Sequence, residues 1–114
     1  YRSIADQLIA AHTPAALAQP LAYGALLRVA AGLAEPPRQV VVVTDDPRAA
    51  LATAARSIHA DVVSIVLPEQ ARSWAEAGFE LFAEKTSREG RPTAYDCRDF
   101  ACRLPVTDVA ALGE

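Results

Sequence analysis

The chain has 114 residues, of which 11 are basic and 14 acidic, for a net charge of −3, and 52% of its side chains are hydrophobic. That length suits a single domain with its own core, and two cysteines exclude a disulfide-dense scaffold. Charges of both signs are interspersed without a Lys/Arg cluster, so nucleic acid is not an expected partner, and no apolar run is long enough for a membrane span.

Residues 1–33 read as a helical pair. Ser3 is positioned to cap a first helix with Ile4, Leu8 and Ala11 on one face. Thr13-Pro14 predicts a restart with a short turn over 14–18, because proline inside a helix removes a hydrogen bond and crowds the preceding turn. A second helix is expected from about Pro20 to Ala31, with Gly32 as its C-terminal cap. Its ridge of Leu21, Ala25 and Val29, flanked by Ala22, Leu26, Ala30 and Leu33, is broad, which predicts burial on more than one side.

Glu35-Pro36-Pro37 is a stiff linker, and the composition changes after it. Gln39 to Thr44 is continuous and β-branched, the pattern of a strand covered on both faces of a parallel sheet. Asp45-Asp46-Pro47 then predicts a helix start, with a helix to about His59 carrying Leu51, Ala54, Ala55 and Ile58 on one stripe. Asp61 to Leu67 reads as a second buried strand, completing a βαβ unit. Pro68 opens a short helix ended by Gly78, residues 79–82 read as an extended edge, and Thr86 to Gly90 is a polar turn. Thr93 to Cys97 predicts a last strand with Tyr95 and Cys97 on one face and Ala94 and Asp96 on the other. Thr107-Asp108 can cap a final turn from Val109 to Leu112. The fold class is α/β: an N-terminal helix pair, then a small three- to four-stranded, mainly parallel sheet with a βαβ unit.

The densest chemistry lies between Pro92 and Pro105, which holds both cysteines. Four residues separate Cys97 from Cys102, so the chain can fold back and bring the sulfurs together. A disulfide closing so small a loop stabilises by roughly 2 kcal/mol on a chain-entropy estimate. Arg98 and Arg103 each follow a cysteine, and positive charge favours a reactive thiolate, so Cys97 and Cys102 are redox candidates. The competing reading makes them two small buried residues in a C-terminal hook. Structural zinc needs more soft ligands than His12 and His59 supply, and both histidines read as helix-end residues, so no metal is expected. Asp45 and Asp46 stand at the carboxyl end of the first strand, where open α/β sheets bind ligands, although an Asp before Pro is also an ordinary helix cap. No glycine-rich loop follows that strand, so neither a Walker loop nor a dinucleotide fingerprint is present and no cofactor is expected. Ser57, Ser64 and Ser73 lack the strained glycine turn of a catalytic serine.

The stretch from Ala94 to Pro105, with Tyr95, Cys97, Cys102 and Pro105 in that order, resembles the C-terminal signature of the thioredoxin-domain-containing DUF255 or YyaL type, the spermatogenesis-associated protein 20-like family. The order of a helix pair, proline linker, valine-rich strand, βαβ unit and cysteine hook is similar to that family's tail along the whole chain. The resemblance implies a longer parent with a thioredoxin-like domain and a central helical toroid, residues 1–33 being the last toroid hairpin and 38–114 a small α/β appendage. A first residue Tyr1 fits a removed upstream segment, and few cysteines with no leader suggest a cytoplasmic location. The resemblance assigns no catalytic site, and Tyr95 and Pro105 carry over as motif positions without a role. Three readings follow. The chain is a non-catalytic module that packs on the rest of its parent chain, with self-association when isolated; or a redox accessory using Cys97 and Cys102; or a small-molecule or sugar-binding module using Asp45 and Asp46.

Overall fold

Four consecutive valines, Val40 to Val43, form the last four residues of the strand on which the α/β architecture is built. In the computed structural model, which describes residues 1–112, the chain divides at the proline linker into two compact units, Tyr1–Pro36 and Pro37–Glu114.

The second unit contains a four-stranded sheet in the order β2-β1-β3-β4, with β1 at Arg38–Val43, β2 at Val62–Val66, β3 at Thr93–Arg98 and β4 at Ala101–Cys102. β1 runs parallel to β2, with Gln39 opposite Val62, and antiparallel to β3, with Val41 opposite Tyr95. The sheet is therefore mixed, which corrects the expectation of mainly parallel pairing. Only β1 and β2 are joined by the helical crossover that parallel strands require, α3 at Ala50–Ala55. A continuous valine run reports two covered faces and says nothing about strand direction.

Period-2 alternation sorts the side chains onto the two faces as the sequence predicts. Val41, Val43, Tyr95 and Cys97 face one layer, where Ala71 of α4 (Pro68–Glu76) and Phe82 of a 3₁₀ turn (Glu80–Phe82) cover them. Val40, Val42 and Ala94 face the other, against Leu51, Ala52 and Ala55 of α3 and the half-buried Val106 and Leu112. Each fully covered valine is worth about 1.5–3 kcal/mol of transfer free energy, so β1 is the element whose loss would cost most. β2 is an edge, and its first residue, Val62, is 39% exposed, so the expectation of a second fully buried strand is corrected.

Local chemistry sets where the elements end. The helix expected over 47–59 is regular only at α3, because the Asp46 carboxylate accepts the Arg48 N–H at 2.9 Å and the Asp46 carbonyl accepts the Ala49 N–H at 3.0 Å, holding residues 46–49 in a turn. In α4 the Gln70 side chain accepts the Leu67 N–H at 3.0 Å, and Gly78 ends the segment at φ +92°, open to glycine at no steric cost. Residues 80–82 form the 3₁₀ turn, not an extended edge. It brings Phe82 under Trp74, with ring centroids 4.9 Å apart.

The first unit has two helices, α1 at Arg2–Ala18 and α2 at Gly24–Ala34. α1 passes through Pro14, which corrects the restart expected there. An interior proline costs about 3 kcal/mol, and the alanine- and leucine-rich turns on either side, Ala10, Ala11 and Ala15 to Ala18, have the propensity to carry the helix across it. Ser3 lies inside α1 and Pro20 in the connection between the helices. Gly32 is interior to α2, whose end falls at Glu35, held extended (φ −116°, ψ 142°) by the proline that follows it. The pair is tied at one end by Arg2, whose guanidinium donates to the Leu33 carbonyl at 3.1 Å.

Candidate functional site

β3 turns back into β4 through Asp99 and Phe100, at φ 49° and 65°. Two left-handed residues make the turn whose twist matches a two-residue hairpin, and here neither is glycine. The turn is held against β1: the Phe100 N–H donates to the Gln39 side-chain oxygen and the Asp99 N–H to the Pro37 carbonyl, both at 3.1 Å. Cys97 and Cys102 are direct cross-strand neighbours with Cα atoms 3.8 Å apart, joined as a disulfide. One place further, the Arg103 N–H donates to the Asp96 carbonyl at 2.9 Å, so the cysteines occupy the alternate, non-hydrogen-bonded position where side chains approach most closely. The two ends of the bridge differ: Cys97 is buried and Cys102 is exposed.

Beyond β4 the chain bulges and rejoins β3 where Ala94 and Val106 exchange both backbone hydrogen bonds, at 2.8 and 3.0 Å. Pro105 sits within this interruption, where its missing N–H leaves no ladder partner unsatisfied. Tyr95 does a different job. Its hydroxyl donates to the Thr86 carbonyl at 2.7 Å and accepts the Thr86 N–H at 3.1 Å, stitching the 83–88 loop to β3. The four residues that carry the family resemblance therefore share one region, and Tyr95, Cys102 and Pro105 line one groove of about 370 Å³.

Lys85, Arg88 and Arg103 line the same groove. Lys85 is 8% exposed and its ammonium lies 5.7 Å from the centroid of the Tyr95 ring. Burial pushes its pKa below the usual lysine value of 10.5, a shift that neighbouring Glu84 opposes. The sequence flags Arg103 only as a neighbour of cysteine and overlooks Lys85 as a site residue. The signal for it was there, since this is the chain's one lysine.

A second charged feature lies beside the hairpin turn, where Arg38 is the cross-strand neighbour of Arg98. Arg38 donates through Nε and one terminal nitrogen to the two oxygens of Asp96, at 3.1 and 2.7 Å, a two-pronged pair that holds the start of β1 to β3. Hydrogen bonding to Asp96 raises the Arg38 pKa, with burial opposing it. The Arg38 N–H also donates to Asp61 at 2.8 Å, fixing the register where β2 begins.

Asp45 and Asp46 are both exposed at the end of β1. Asp46 is engaged in the turn described above, and neither aspartate lines the groove beside the disulfide or the two further concavities at residues 94–112 and 68–87. His12 lies in mid-helix, since α1 runs on to Ala18, and His59 lies past the end of α3, so neither occupies the helix end expected of it. Among the described residues no three His, Cys, Asp or Glu side chains are grouped to hold a metal ion, and no helix is long and apolar enough to cross a membrane. No family model, no curated protein and no solved structure matches this chain.

Proposed function

We propose that the chain is a non-catalytic accessory module of a thioredoxin-like, helical-toroid protein, whose helix pair packs on the rest of its parent chain. The observation that carries this reading is the composition of the helix surfaces. Ile4, Leu8 and Leu17 of α1 and Val29 of α2 are each more than half exposed, as is Leu21 between them, and Ala16 is the only buried residue in either helix. Exposed apolar residues in such number mark a surface made to be covered. Sedimentation velocity of the isolated chain tests it. Concentration-dependent self-association is expected, weakened by Leu8→Glu; a monomer at every concentration, with the variant indistinguishable, counts against it.

The disulfide favours a second reading, in which the hairpin is a redox accessory exchanging with the parent's thioredoxin-like domain. An incoming thiolate would attack the exposed Cys102 sulfur and release Cys97 as the thiolate, and a second thiol would complete reduction to the dithiol. Alkylation and mass spectrometry across a glutathione series decide this. A midpoint near about −180 to −270 mV supports it, whereas a bridge that stays closed until the chain unfolds makes the hairpin structural.

A further inference from the structure

We infer that the groove beside Cys102 is a binding site for a small anion, a ligand presenting a carboxylate or phosphate group to Lys85, Arg88 and Arg103. The inference lies beyond the packing reading and is independent of it, because it concerns the sheet unit and not the helix pair.

Lys85, Arg88 and Arg103 all line a concavity of about 370 Å³ in a chain whose net charge is −3, with one carboxylate, Glu84, among them, and Arg103 also borders the concavity at residues 94–112 beside Asp96. Among the described residues none of the three has an ion-pair partner, although elsewhere in the same unit Arg38 is paired with Asp96 and Arg91 with Glu89. Lys85 is the most informative. Long cationic side chains ordinarily carry their charge out to water, yet this one is more than nine-tenths buried and its ammonium has only a long contact, 3.5 Å, to the Ala83 carbonyl. A charge partly withdrawn from water, with no ion-pair partner in contact, is costly, and an anion in the groove would offset that cost. The lowered pKa of Lys85 agrees, since it reports desolvation that the neighbouring Glu84 carboxylate only partly offsets.

The remaining wall defines the ligand's other end. Leu104 and Pro105 supply an apolar side, and the Tyr95 hydroxyl is committed to Thr86, so the groove suits a small molecule with one anionic head and a short apolar body. Arg88 and Arg103 offer planar donor forks that match carboxylate and phosphate oxygens, while Lys85 acts as a point charge behind them.

Lys85 is the only lysine, so its side-chain NMR signal is assigned without ambiguity. Inorganic phosphate and acetate are each titrated into the chain at constant ionic strength, with chloride as the reference, and the Lys85 pKa is followed. Saturable binding with an upward shift of that pKa is expected, because a bound anion favours the ammonium form. Saturation by phosphate assigns a phosphorylated ligand and saturation by acetate a carboxylic acid, and either supports the site. Arg88→Ala/Arg103→Ala should weaken the binding at least tenfold, whereas Arg48→Ala, in the turn at residues 46–49 and outside the groove lining, should leave it unchanged. A response that is linear and equal to that of chloride, or that survives in the double variant, overturns the inference.

Discussion

Arg38 and Asp96 show what a single pair can decide. Their side chains are 22% and 14% exposed, so the pair is shielded enough for its two hydrogen bonds to count. Arg38→Met leaves the Asp96 carboxylate half-buried without its partner and is expected to cost about 2 kcal/mol in urea unfolding, while Arg38→Met with Asp96→Asn should cost less than the sum of the two single changes. Additive losses would show that the two residues act separately. Lys85 makes a prediction of opposite character. Burial holds its pKa below 10.5, so from the folded value up to 10.5 the unfolded chain binds more protons and stability rises with pH. Below that window the penalty of the buried ammonium is fully present. Lys85→Met should flatten the rise between neutral pH and 10.5, and urea midpoints with the same slope in both proteins would contradict this. The Arg38–Asp96 partnership was not legible in the sequence, since residues 38 and 96 meet only because β1 and β3 run antiparallel.

At the scale of elements, the hairpin is the least economical piece. Asp99 and Phe100 both occupy the left-handed region, where a bulky residue such as phenylalanine is disfavoured by roughly 1–2 kcal/mol. Phe100→Gly is expected to raise stability by about 1 kcal/mol, read as a shift in thermal midpoint without loss of the disulfide. An unchanged or lowered midpoint would mean that the half-exposed Phe100 ring contributes packing that offsets the backbone cost. The alternation Tyr95/Cys97 against Ala94/Asp96 was readable beforehand, because a strand has a fixed period of two. Strand direction was not readable, since it depends on where the chain between Leu67 and Thr93 brings it back to the sheet. The helix starts at Pro68 and the stop at Gly78 were legible from proline and glycine chemistry, whereas Pro14 misled because the flanking helix formers prevailed.

At the scale of the whole molecule, the two units meet the demand for burial differently. The sheet unit has a layer on each face of β1 and closes its own core. The helix pair buries one alanine and leaves its leucines and Val29 facing outward or half-covered. The breadth of the apolar surface on α2 was visible in the sequence, but the burial on more than one side expected from it is not found, since no residue of α2 is buried. On the proposed packing reading the sheet unit is stable by itself and the helix pair needs a further surface against it, and native-state hydrogen exchange of the monomeric chain decides this. Amides of β1 and β3 are expected to exchange only on global unfolding, and those of α1 and α2 ~100-fold faster or more. Helix amides as protected as those of Val40 to Val43 would contradict it.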